Sequence, residues 1–158
     1  MTSAARTRTT SRSDAVPVFV VDTREQQPYM FDPERISTVR GALPAGDYSL
    51  AGLETAIAAE RKTLDDYVTS VIIGRERFMR EVQLLATYDR ACIVVEASFS
   101  DVVEHRYRAG VHPNAVQGAT WAIAVDHGVP VYFLGDRQLA CRFVEGFLLR
   151  YHKKANDE

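Results

Sequence analysis

The sequence predicts an α/β fold in which a central mixed β-sheet is flanked by helices. Three observations carry that expectation. Continuous apolar runs rich in β-branched residues, at 18–21 and 91–97, are patterned as strands buried on both faces. Segments 75–87 and 136–151 each carry one apolar stripe at helical spacing. Strand and helix alternate through the second half, which argues for parallel or mixed strands covered by helices.

Composition sets broad bounds. The chain has 158 residues, enough for one domain with a real core, with 46% hydrophobic and 25% charged residues. A formal net charge of −2 gives no global basic signature of nucleic-acid binding, so contact with an anionic polymer would need a local basic face. No apolar run approaches the roughly 20 residues of a membrane span, so no membrane partner is expected. Cys92 and Cys141 lie in apolar surroundings without metal-type spacing. They read as buried reduced thiols, in keeping with a cytoplasmic location.

In chain order, residues 1–16 form a Ser/Thr/Arg-rich tail too polar to pay for its ordering, with Arg6, Arg8 and Arg12 either idle, touching nucleic acid or marking a transit peptide. The single domain spans 17–153, and 154–158 is a flexible end. Strand 18–21 delivers Asp22 and Glu25 to its C-terminal end, and Gln26-Gln27-Pro28 breaks it. Residues 29–33 are loop, and 34–39 is a helical turn or short strand. A turn at 43–46 leads into a β-hairpin whose strands, near 49–50 and 56–59, are separated by Ala51-Gly52-Leu53-Glu54. Thr63 is placed to cap a helix from Leu64, with Asp65 and Asp66 in its positive first turn. Gly74 interrupts, and a longer helix follows with Phe78, Val82 and Leu85 on its core face. Strand 91–97 ends at Glu96; a polar helical segment covers 99–108, and a helix from about Ala115, capped by Asn114 after a loop His112, carries Trp121. Strand 128–134 and a helix capped by Asp136 close the domain.

The chemistry concentrates on the hairpin. If Glu60 and Lys62 share a strand, their side chains leave from one face and Arg61 points the other way. Pairing the hairpin strands sets Asp47 beside Glu60, so two carboxylates and an ammonium converge. Carboxylates forced together repel unless a cation sits between them, and paired oxygen donors suit a hard divalent ion such as Mg²⁺. Isolated, a Glu-x-Lys in an edge hairpin is more often a solvated charge pair.

The wider pattern is more specific. Val20-Val21-Asp22-Thr23-Arg24-Glu25, then Gly46-Asp47, then Glu60-Arg61-Lys62 with Asp66 four residues on, resembles the XPF-type structure-specific nuclease domain of the PD-(D/E)XK superfamily. A Ser70…Gly74-Arg75 segment and an Ile93-Val94-Val95-Glu96 strand extend the likeness from about Val18 to about Leu149. The resemblance implies a restriction-endonuclease-like sheet and a metal-dependent DNA endonuclease acting on branched or structured DNA in repair or recombination. It implies Mg²⁺ or Mn²⁺ held by Asp47, Glu60 and the Arg61 carbonyl, with Asp22 completing the shell directly or through water. Lys62 then orients the nucleophile or stabilises the transition state, with Arg24, Glu25, Arg61 and Asp66 in support. Asp66 reads equally well as a helix-start acid.

Arg75, Arg77 and Arg80, unfavourably placed for the helix dipole, are candidate contacts to DNA backbone, or else a solvated face paired with Glu76 and Glu81. The resemblance also implies a homodimer built through the last two helices and Trp121. Larger relatives carry helix-hairpin-helix or helicase modules beside the nuclease, and this sequence shows neither, so a separate targeting protein is expected. Two other readings stand beside the endonuclease. One is a non-catalytic DNA-binding pseudonuclease subunit, and the other is a restriction or mobile-element nuclease of the same superfamily.

Overall fold

The computed structural model describes residues 16–157; the tail arginines Arg6, Arg8 and Arg12 lie outside them. One mixed six-stranded sheet runs in the order β2-β1-β3-β4-β5-β6. Its strands are β1 (Val18–Asp22), β2 (Ser37–Gly41), β3 (Tyr48–Leu50), β4 (Ile57–Lys62), β5 (Arg90–Val95) and β6 (Val131–Phe133). β1 is parallel to β2 and antiparallel to β3, β3 and β4 are antiparallel, and β4, β5 and β6 run parallel.

Alternation along the strands divides the core in two. Ala58 of β4 and Ala91, Ile93 and Val95 of β5 face one side. There they meet α1 (Leu64–Val68), α2 (Arg75–Leu85), α3 (Phe99–Val103) and α4 (Pro113–Asp126). Ile57, Ala59, Cys92 and Val94 face the other side, against the aromatic loop residues Tyr29 and Phe31 and against α5 (Arg137–Asp157). Strands buried on both faces explain why β1 and β5 read as continuous apolar runs.

Several helix ends follow from local chemistry. The Asp66 N–H donates to Thr63 Oγ1, so Thr63 caps α1 as expected. Between α1 and α2 the chain makes a π-helical turn over Thr69–Ile73, closed by the Gly74 N–H donating to the Thr69 carbonyl. Such a turn inserts extra chain into the helical path and changes the direction α2 presents to the sheet. The expected Asn114 cap is corrected: His112 Nδ1 accepts from the Asn114 N–H, and Pro113 occupies the first turn. Proline is pre-set for that position, so the helix starts two residues sooner. Asp136 Oδ1 accepts from the Leu139 N–H at the start of α5, which runs on through Asp157. Cys92 is buried, and burial pushes its thiol up to about 12. Cys141 is only half-buried.

Candidate active site

The hairpin puts its acids side by side. Tyr48 pairs with Ala59, so Asp47 lies opposite Glu60. The Asp47 N–H donates to the Ala59 carbonyl at 2.9 Å, and the Arg61 N–H donates to Asp47 Oδ2 at 2.8 Å. Gly46, just before, has φ +80, and a Cβ there would come within 2.9 Å of the Ala58 Cβ. Glycine is therefore required for β3 to enter at this angle, because L side chains rarely take that conformation.

Glu60 and Lys62 share the face of β4 that carries Ala58. Lys62 Nζ stands 3.7 Å from Glu60 Oε1 and 5.1 Å from the centre of the Phe78 ring on α2. Burial first, then the charges of Asp47 and Glu81, push the Glu60 carboxyl well above the usual range. Burial raises Asp47 to about 6; Glu25 and Glu81 add to that rise, and the Arg61 N–H and Lys62 oppose it.

Asp22 is 1% exposed, and its backbone N–H donates to the Asp47 carbonyl at 2.9 Å, tying β1 to the hairpin. Its carboxylate accepts from the Leu43 N–H at 2.9 Å, the Arg24 N–H at 3.1 Å and Arg24 Nε at 2.7 Å. Burial works against its charge, but these donors outweigh it and hold the group below the ordinary carboxylate range. A cation approaching Asp22 must compete with Arg24, whose side chain is otherwise 70% exposed.

Arg61 points to the opposite sheet face. It binds Glu96 through Nε at 3.1 Å and Nη2 at 3.0 Å, and Glu25 through Nη1 at 3.2 Å. Tyr29 donates its hydroxyl to the same Glu96 carboxylate at 2.8 Å. Burial opposes the Arg61 charge, yet the hydrogen bonds from its side chain to Glu96 raise its pKa further. Arg61 and Glu25 are thus brought together as a buried brace behind the acids. Arg137 of α5 joins it 3.6 Å from Glu96.

Asp66 is not brought in. It is exposed at the start of α1, and among the described residues its carboxylate forms no hydrogen bond or ion pair. Arg75, Arg77 and Arg80 are all exposed on α2, the helix that supplies Phe78 beneath Lys62.

The residue that sequence reasoning passed over is Glu81. It is half-buried rather than solvated, and its Oε1 accepts from the Gly46 N–H at 3.2 Å. Its charge adds to the rise of the Glu60 carboxyl. The signal was its spacing: three residues after Phe78 and four before Leu85, it borders the apolar stripe of α2.

Chemically, the face sets Asp47 and Glu60 beside the Lys62 amine, with Glu81 held at the Gly46 N–H. Among the described residues no group of three or more acidic, histidine or cysteine side chains is placed to hold a metal ion. One named oxygen of each acid is engaged, by the Arg61 N–H, Lys62 and the Gly46 N–H respectively. The pair Asp47 and Glu60 nonetheless fits a hard divalent cation that takes one or two carboxylates, since crowded buried carboxylates are stabilised by positive charge between them.

Comparison with known proteins identifies the fold and the family. XPF from Aeropyrum pernix superposes with a TM-score of 0.68 at 25% identity, over 89% of this chain and 68% of that one. Its complex with DNA matches equally well, at 0.68 and 25% identity, over 87% of this chain and 66% of that one. A Methanocaldococcus jannaschii protein named as an ATP-dependent RNA helicase is 29% identical over 115 residues. Those residues are 72% of this chain but 13% of that protein, so the chain spans only a small part of its relative. The fold is that of the XPF nuclease domain. With the ERCC4 domain matching residues 21–147, from the end of the first strand to the middle of the last helix, this chain belongs to the ERCC4 domain family.

Proposed function

We propose that this chain is a divalent-metal-dependent endonuclease of branched or structured DNA, serving repair or recombination. The observation that carries the reading is the buried pair Asp47 and Glu60 facing Lys62, with both acids pushed above their usual range by burial and then by neighbouring carboxylates. Asp47, Glu60 and the Arg61 carbonyl would hold Mg²⁺ or Mn²⁺, with Asp22 reached directly or through water. Bound there, the ion would supply an activated water and charge neutralisation at the scissile phosphate.

The chain's own groups do the rest. Lys62, steadied by the Phe78 ring, would hold the attacking or developing oxygen through its ammonium. Arg61, fixed by Glu25 and Glu96, keeps β4 rigid so that Glu60 and Lys62 stay in register. Arg24, at the rim beside Asp22, and Arg75, Arg77 and Arg80 on α2 would neutralise DNA phosphates, setting affinity but not sequence preference. The DNA complex of the Aeropyrum pernix relative supports DNA as the substrate. The presence of Asp47, Glu60 and Lys62 together favours an active nuclease over a pseudonuclease subunit. No helix among the described residues is long and apolar enough to cross a membrane.

We assign a second copy of this chain to the surface around β6 and α5. β6 is an edge strand, its Tyr132 packs on Phe143 at 4.6 Å, and Leu139, Phe143 and Phe147 line an adjoining cleft of about 1100 Å³. Light scattering on the wild type and Phe147→Asp tests this: a dimer that the substitution dissociates supports it, and a wild-type monomer excludes it.

The enzymatic reading is tested by Mg²⁺-dependent cleavage of single-strand, duplex, flap, fork and four-way DNA. Cutting of branched substrates by the wild type and none by Glu60→Gln is the expected result. Equal rates in the two would overturn the assignment, and preference for a linear sequence would favour a restriction-type enzyme.

A further inference from the structure

We propose that Arg137, the first residue of α5, is a positioning residue for the hydrolysis: acting through Glu96 and Arg61, it steadies the strand that carries Glu60 and Lys62. This rests on the reading of Asp47, Glu60 and Lys62 as the site of phosphodiester cleavage. Two observations carry it. The first is a shared carboxylate. Glu96 accepts from Arg61 Nε at 3.1 Å, from Arg61 Nη2 at 3.0 Å and from the Tyr29 hydroxyl at 2.8 Å, and Arg137 Nη1 stands 3.6 Å from its Oε2. The Glu96 N–H also donates to the Lys62 carbonyl at 2.9 Å, so this one residue grips β4 by backbone and by side chain.

The second is a balance of charge. The side chains of Arg61, Glu25 and Glu96 are 12%, 7% and 7% exposed, and among themselves they set one cation against two anions. An uncompensated charge at that depth is costly, and Arg137 supplies the second cation. Its guanidinium lies 4.9 Å from the centre of the Tyr29 ring, which Arg61 approaches at 5.7 Å. Arg137 Nη2 donates to the Gln27 carbonyl at 2.6 Å. Nη1 is buried, forms no hydrogen bond among the described residues, and is left facing the charge of Glu96. Holding α5 in place does not require this arrangement, because Ala140, Val144 and Leu148 already bury that helix against the sheet. What the pairing adds is the orientation of Arg61. That residue stands between Glu60 and Lys62, and its own N–H holds the Asp47 carboxylate at 2.8 Å. Without Arg137, two carboxylates compete for one guanidinium, and any turn of Arg61 is felt by all three groups.

The experiment is single-turnover cleavage of forked DNA by saturating full chain in Mg²⁺, with DNA affinity from fluorescence anisotropy in EDTA and melting midpoints in EDTA. The variants are Arg137→Met, Arg137→Lys, Glu96→Gln and the Glu96→Gln/Arg137→Met pair. Arg137→Met keeps the apolar stem and removes the charge. The expected result is a cleavage rate about ten- to a hundredfold lower, the scale on which outer partners and displacements of about 1 Å act, at unchanged DNA affinity. Arg137→Lys should recover part of that rate. A wild-type rate in Arg137→Met, a lysine variant as slow as the methionine one, or a rate loss matched by lost DNA affinity would each overturn the proposal while leaving the cleavage site standing. A wild type that cuts nothing defeats the underlying reading, and this one with it. Glu96→Gln leaves Arg61 with Glu25 as its single anion and so removes the need for a second cation. If Arg137→Met melts below the assay temperature, the pair decides: cleavage as fast as Glu96→Gln alone supports action through Glu96, and a further loss refutes it.

Discussion

Replacing Asp47 with asparagine should make the metal-free protein more stable while destroying its metal site. In the fold, burial and the neighbouring acids hold the Asp47 carboxyl at about 6, against 3.8 in the open chain. Two units at about 1.4 kcal/mol each put the cost of ionising it near 3 kcal/mol. Asparagine retains an oxygen for the Arg61 N–H, now at 2.8 Å, and carries no charge. The sign follows from proton counting. Because the pKa is higher folded than unfolded, the folded chain binds the extra proton between about pH 4 and pH 6, and stability falls as pH rises through that window. The advantage of Asp47→Asn is therefore complete above about pH 6 and gone below about pH 4. For a chain of this size it amounts to roughly 6 to 12 °C in melting temperature at pH 7.5. Melting by circular dichroism in EDTA at pH 7.5 and pH 4 measures it. A variant less stable than wild type at pH 7.5, or an advantage that does not shrink at pH 4, would refute the idea that Asp47 is held under electrostatic strain. Adding Mg²⁺ should raise the melting point of the wild type and leave Asp47→Asn unmoved.

Other consequences are separable by assay. Lys62→Met keeps the packing on Phe78 but loses the ammonium, and should lower the single-turnover cleavage rate by about 10² to 10³ with Mn²⁺ binding retained. Arg61→Ala leaves Glu25 and Glu96, whose side chains are each 7% exposed, without their shared partner. Urea denaturation should show a loss of about 3 to 5 kcal/mol. Changing Arg75, Arg77 and Arg80 together to glutamine should weaken DNA binding equally across sequences and flatten its salt dependence, by close to one unit of slope for each phosphate contact removed. Fluorescence anisotropy over a range of salt concentrations measures this.

The parts of the site that lie on one strand pair were legible in the sequence. Alternation along β4 fixes Glu60 and Lys62 on one face and Arg61 on the other, and the hairpin fixes Asp47 opposite Glu60. The β-branched runs of β1 and β5 likewise announced a sheet covered on both sides. What the sequence left dark depends on how distant elements meet. Glu81 reads as a surface charge until the π-helical turn at Thr69–Ile73 and the packing of Phe78 set α2 against the hairpin. The occupation of Asp22 by Arg24 and the Leu43 N–H depends on the path of a loop between strands, which periodicity does not encode. The cap of α4 was misread because Asn114 has the higher intrinsic preference, while Pro113 dictated where the helix starts.

The most direct measurement is an anomalous difference map from crystals of the wild type soaked in Mn²⁺. A peak flanked by the carboxylates of Asp47 and Glu60, on the side of β4 that carries Lys62, is the predicted result. Saturating Mn²⁺ with density elsewhere, or on the Arg61 side of the sheet, would contradict the account.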